Sequence, residues 1–155
     1  MTINLLQNRY ISALDSADMA AWLTCFKNEE KSSYICISSE NVRNGYSIAL
    51  MHDDCYSRLK DRVIFVDKIW SGTFQPYKTR HFVHQTSIKE INSKTIQVIS
   101  NFSIISTVDP KPSSQLVAGE YVDIIDIGDD GELLFSSKTA VYDSDVLPKY
   151  IVYPF

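Results

Sequence analysis

The chain has 155 residues, 45% hydrophobic and 22% charged, which is enough apolar material for one core that folds without disulfide or metal staples. With 15 Lys and Arg against 19 Asp and Glu the net charge is -4, which removes the electrostatic footprint of a general nucleic-acid binder or an anionic-membrane binder. Five glycines, five prolines and 12% aromatic residues exclude collagen-like, linker-like and disordered classes.

The opening segment places Ile3, Leu6, Tyr10 and Leu14 at spacings of three and four, the stripe of an amphipathic helix ending near Asp15. Ser16 or Asp18 is positioned to cap a second, shorter helix, which presents Trp22, Leu23 and Phe26 to a core. A β-branched and aromatic run at 32–38 predicts a short strand, and Asn44-Gly45 a turn. A third helix is expected from about His52, with Asp53 and Asp54 at its positive end and Cys55, Leu59, Val63, Val66 and Trp70 recurring every three or four residues. Its opposite face, Arg58, Lys60, Asp61 and Arg62, is charged and reads as solvated. Ser71-Gly72 ends it.

Beyond Pro76 the pattern changes to long strands at about 79–91, 94–108, 116–127 and 133–143, joined by turn-forming segments at Asn92-Ser93, 109–114 and 128–131. Helices in the first half and an antiparallel meander in the second predict a single α+β domain spanning residues 1–155, with the helices packed on one sheet face. The strand at 94–108 has one apolar and one mixed face. The strand at 116–127 is apolar on both: Leu116, Ala118, Val122 and Ile124 on one phase, Val117, Tyr121, Ile125 and Ile127 on the other. Helices cover only one of these faces, so the other is expected to line a pocket, be wrapped by the sheet, or meet another subunit. The segment VLPKYIVYPF at 146–155 is too apolar for a frayed tail and is expected to dock on its own domain or on a neighbour.

Candidate chemistry is sparse. Cys25, Cys36 and Cys55 form no CxxC pair and are expected to be reduced thiols. No basic and apolar leader opens the chain and no apolar run is long enough to cross a membrane, so a soluble cytoplasmic protein with neither membrane nor nucleic-acid partner is expected. His81 and His84, three apart on a strand, point to opposite faces and cannot share a metal. Nucleotide-binding glycine loops, HExxH and GxSxG are absent. An acid/base pocket remains open, with His81 or His84, Glu120 or Asp123, and Tyr10 or Tyr121 as candidates; His81 with Glu120 is the leading catalytic pair of that alternative. Trp70, Phe74, Tyr77, Arg80 and Phe82 gather near the helix-to-sheet junction. Together with Tyr150, Tyr153 and Phe155 in the tail they form a candidate interface set, although a cluster sealing the junction fits the same residues.

In order along the chain, AWLTCF, YICIS, RLKDRV, TRHFVHQTSI, LVAGEYVDII and KTAVYDSD resemble the small, or beta, subunit of aromatic-ring-hydroxylating dioxygenases, in particular the short small subunits that accompany oxygenases of aromatic acids. The resemblance covers nearly the whole chain. It implies the cone-shaped α+β fold of nuclear transport factor two and ketosteroid isomerase, a curved antiparallel sheet wrapped on helices. It also implies a structural, non-catalytic role as a trimeric base beneath three large alpha subunits, which carry the Rieske iron-sulfur cluster and the mononuclear iron. No cofactor is then expected on this chain, and the sequence contains neither a CxH…CxxH ligand set nor a two-His-one-carboxylate constellation at workable spacing. Two other readings stay open: a self-sufficient isomerase, dehydratase or cyclase of the same fold, and a plain scaffolding homo-oligomer without an oxygenase partner.

Overall fold

The computed structural model describes residues 2–155. Helix α1, Ile3–Asp15, is capped by the Thr2 hydroxyl, which accepts from the Leu5 N–H, and buries Leu6, Gln7, Tyr10, Ala13 and Leu14. Helix α2, Met19–Leu23, starts at Asp18, whose carboxylate accepts from the Ala21 N–H at 2.9 Å. Asp18, not Ser16, is therefore the cap, and Trp22 and Phe26 enter the core as their spacing predicts.

The middle of the chain departs from expectation. After β1, Ser33–Ser38, comes a short helix α3, Ser39–Arg43, and then a three-residue strand β2, Met51–Asp53. His52 and Asp53 thus lie in a strand antiparallel to β1, and helix α4 begins only at Tyr56 and runs to Ile64. Asp53 does not face a helix dipole: it is 6% exposed and accepts two 2.9 Å hydrogen bonds from the Arg62 guanidinium, which pins α4 to β2. Arg62 therefore leaves the solvated face on which its spacing put it. A π-helical turn, Phe65–Ile69, extends α4, and the predicted stripe faces inward through buried Leu59 and Val66, with Val63 and Trp70 packed at its edge.

Four long strands follow: β3, Lys78–Asn92; β4, Thr95–Thr107; β5, Ser114–Ile127; and β6, Leu133–Tyr142. They form the expected antiparallel meander, and the six-stranded sheet has the order β2-β1-β6-β5-β4-β3. Strand β1 joins it in parallel to β6, pairing Ser33 with Ser137 through Ser38 with Tyr142. The result is the cone-shaped α+β arrangement: a curved sheet packed on N-terminal helices. Its core joins Leu6, Tyr10, Trp22 and Leu59 from the helices to Tyr34, Phe102, Tyr121, Ile125 and Phe135 from the sheet. On the opposite sheet face a row of side chains, Ile35, Thr139, Val122 and Ile99, runs across neighbouring registers and stays half-buried. No helix of the described residues is long and apolar enough to cross a membrane.

Candidate functional site

The inward face of the sheet converges on a sealed polar centre. Asp123 on β5 stands directly opposite Lys138 on β6, and both side chains are fully buried. The Lys138 ammonium lies 2.9 and 3.0 Å from the two Asp123 oxygens and donates to the Gln7 side-chain oxygen at 3.3 Å. The Gln7 amide in turn donates to Asp123 at 2.7 Å. Three rings close around the ammonium, with centroids 3.8 Å away for Tyr121, 4.4 Å for Tyr10 and 4.5 Å for Phe135. Burial pushes the Asp123 carboxyl up and the Lys138 ammonium down, and the attraction between the two works against both shifts. Gln7 and the aromatic cage supply the further contacts that a buried ion pair requires.

Lys138 reaches this centre because β6 is bulged. In a regular strand residues 135 and 138 point to opposite faces. The register steps from Ile124–Ser137 to Ile125–Phe135, which leaves Ser136 as the extra residue and turns both Phe135 and Lys138 inward. Sequence reasoning passed over Lys138 and offered Asp123 only as one of two acidic candidates for an acid/base pocket. The pairing of an acid and a base across a hairpin was present as a signal, but the bulge that turns them inward was not.

The core beside Tyr10, Tyr34, Phe102 and Tyr142 is closed by the segment after β6. Phe155 is 1% exposed, with its ring 5.9 Å from Tyr142 in an edge contact and 6.4 Å from Phe102. Its backbone oxygen accepts from the Tyr10 hydroxyl at 2.5 Å and from the Tyr34 hydroxyl at 3.3 Å, and its N–H donates to Tyr34 at 2.8 Å. Burial holds both phenols well above their ordinary pKa, so they stay protonated donors.

Of the expected site residues, His81 faces inward with a side chain 1% exposed, while Glu120 is exposed on the opposite sheet face, so the structure does not bring the two together. The partner of His81 is Asp15, at the end of α1. Its carboxylate approaches the imidazole Nδ1 to 2.5 Å and accepts from the His81 N–H and the Thr79 hydroxyl. Burial works to raise the Asp15 pKa, but the bonds and charge of His81 and the Thr79 hydroxyl outweigh it and hold the carboxyl low. His84 is exposed, as the two-residue strand period requires. His52 lies on β2, and the three histidines occupy separate places in the fold. Among the described residues no group of three or more His, Cys, Asp or Glu side chains is placed to hold a metal ion.

The candidate interface set divides into four. Phe74, Tyr77 and Tyr153 contact one another at centroid distances of 5.5–6.3 Å, and Tyr77 accepts from the Val152 and Tyr153 N–H groups. Trp70 packs on Tyr150 at 5.2 Å. The tail therefore docks on its own domain, and Phe155, spent in the core, has no surface left for a partner. Arg80 and Phe82 are exposed, Phe82 at 62%, and Tyr150 also keeps 62% of its surface open.

Residues 9–149 match the family described as ring hydroxylating beta subunit. The chain belongs to that family. It is 26% identical over 152 residues to the anthranilate 1,2-dioxygenase small subunit of Burkholderia cepacia, covering 98% of this chain and 91% of that protein. A crystal structure described as the beta subunit of an aromatic-ring-hydroxylating dioxygenase from Novosphingobium aromaticivorans superimposes with a TM-score of 0.80 at 26% identity, over 92% of this chain and 87% of that one. The benzoate 1,2-dioxygenase beta subunit of Burkholderia mallei shares the fold with a TM-score of 0.74 at 22% identity, over 91% of this chain and 88% of that one. This protein is thus a small subunit of an aromatic-ring-hydroxylating dioxygenase, and small subunits of this family partner with large alpha subunits.

Proposed function

We propose that this chain is the structural, non-catalytic subunit of a Rieske-type oxygenase acting on an aromatic acid, assembled as three small subunits beneath three large ones. The family match across residues 9–149 carries the reading. The anthranilate 1,2-dioxygenase relative supports an aromatic acid as the substrate. The non-catalytic role is supported by an interior filled with an ion pair and Phe155, and by histidines that do not converge. On this reading the iron-sulfur cluster and the mononuclear iron belong to the large subunit, electrons come ultimately from a nicotinamide nucleotide, and the complex works in the cytoplasm. The half-buried outer sheet face and exposed Phe82 supply the contact surface for assembly.

The test is co-expression with the large subunit encoded beside it, identified by its CxH…CxxH ligands. The two chains are expected to elute from gel filtration as one complex of large mass; separate elution overturns the proposal.

The Asp15–His81 pair favours a second reading, a self-contained isomerase, dehydratase or cyclase, because a carboxylate-oriented imidazole is the usual equipment of a general base. On that reading the purified small subunit alone turns over an enolisable or hydroxylated cyclic substrate, and His81→Ala abolishes the turnover. An inactive wild-type chain removes it.

A further inference from the structure

Phe155 is held as a ligand is held. A core phenylalanine needs only apolar neighbours, and its backbone groups ordinarily pair with other backbone. Here both backbone polar atoms of Phe155 are bound by side-chain hydroxyls from two separate elements, Tyr10 of α1 and Tyr34 of β1, while the ring is enclosed by Phe102 and Tyr142. Both phenols are fully buried. Tyr121, stacked on Phe102 at 4.3 Å, adds a buried hydroxyl that has no partner among the described residues. The Lys138 ammonium lies 4.4 Å from the Tyr10 ring centroid, on the side of the core that Tyr10 shares with the ion pair.

The group so held is an aromatic ring joined through two carbons to a carbonyl carbon whose oxygen is the acceptor, which is the skeleton of a 3-arylpropionate. We propose that the space between Tyr10, Tyr34, Phe102 and Tyr142 is a binding pocket for an aryl carboxylate of that shape, and that Phe155 occupies it as an intramolecular ligand in competition with the free acid. The carboxylate would take the place of the Phe155 oxygen on Tyr10 and Tyr34, and the aryl ring that of the Phe155 ring. The tether permits exchange. Between β6 and Val152 the chain forms neither helix nor strand, with Val146 80% and Tyr150 62% exposed. Its anchors are the Trp70–Tyr150 contact, the Tyr77 cluster and the Lys149 bond to Ser106.

Limited trypsin digestion of the wild-type protein tests the competition. Cleavage after Lys149, in the tether, is expected to run several-fold faster with saturating 3-phenylpropionate than with propionate. Cleavage after Lys94, in the exposed β3–β4 turn, serves as the internal standard. An unchanged Lys149-to-Lys94 ratio overturns the proposal. In Phe155→Ala the pocket stands open, and 3-phenylpropionate in hundredfold excess over its Kd is expected to raise Tm by roughly 5 to 10 °C. Benzene raising Tm as much as the acid would mean a plain apolar void and would equally overturn it. Adding Tyr10→Phe and Tyr34→Phe is expected to erase the preference for the acid. If Phe155→Ala does not fold, the digestion of the wild-type chain decides alone. Neither measurement involves a large subunit, so failure here is separate from failure of the oxygenase reading.

Discussion

Replacing Lys138 by Met strands a carboxylate at the centre of the cone, because Asp123 is fully buried and among the described residues has only the Gln7 amide besides Lys138 to satisfy it. An uncompensated buried charge of this kind costs about 3–5 kcal/mol, and the rings of Tyr10, Tyr121 and Phe135 lose the cation they enclose. The double variant Asp123→Leu/Lys138→Met removes both charges and is expected to recover most of that loss, since apolar substitutes for a buried ion pair are often neutral or better. Urea midpoints of the two single variants and the double variant close the cycle. Additive losses would show that the two residues are not coupled. This centre was invisible to strand parity: Phe135 points inward, so Lys138, three residues on, should have pointed out, and only the unpaired Ser136 reverses it. For His81 parity set it on the face opposite His84 without saying which of the two turns inward, and its partner, Asp15, sits at the end of a helix 66 residues earlier and leaves no local trace.

At the scale of elements, the lack of a side chain at Gly119 is what lets the β6 backbone at Val141–Tyr142 lie against β5. A Cβ at this position would lie 2.1 Å from the Val141 carbonyl oxygen, 2.8 Å from the Tyr142 Cα and 3.0 Å from the Phe102 ring. Two of these atoms are backbone and cannot rotate away, so Gly119→Ala must push β6 off β5 or bend it. Overpacking of this kind costs about 1–3 kcal/mol, and the backbone contact puts this site at the upper end. The expected result is a lower urea midpoint with faster amide exchange in β6 and unchanged exchange at the β3–β4 pairing. Uniform loss of protection across the sheet would place the strain elsewhere. The long elements were readable because α1 carries a 3.6-residue stripe, β4 and β5 are long β-branched runs with buried residues at every second position, and turn-forming residues bound each strand. α3 and β2, five and three residues long, show no period to detect. The start of α4 was misplaced because an acidic pair suits a helix N-terminus and an ion pair with Arg62 equally well.

For the whole molecule the decisive property is that β5 buries one face and half-buries the other. Its inward Tyr121 and Ile125 are fully buried, whereas its outward Val122 and Ile124 lie in a broad apolar band without helical cover. Local alternation revealed that both faces of β5 avoid water. It could not reveal that β1 completes the band through parallel pairing to β6, because that pairing joins segments about a hundred residues apart. If the band is where copies of the subunit meet, as the proposed trimer requires, a charge placed in it must be desolvated on assembly but not on folding. Phe82→Glu/Val122→Glu does this with side chains of the same sign, which cannot pair with each other. An unpaired charge in a closed interface costs about 3–5 kcal/mol, which weakens association by roughly 100-fold or more. Light scattering of the isolated small subunit is therefore expected to report a trimeric mass for the wild type and a monomeric mass for the double variant at micromolar concentration. Its Tm, measured where both proteins are monomeric, is expected to stay within a few degrees, because Phe82 is already 62% exposed. A trimer that survives both glutamates would move the subunit contact off the sheet face, to the exposed apolar edge of α4 and its π turn at Ile64, Phe65 and Ile69.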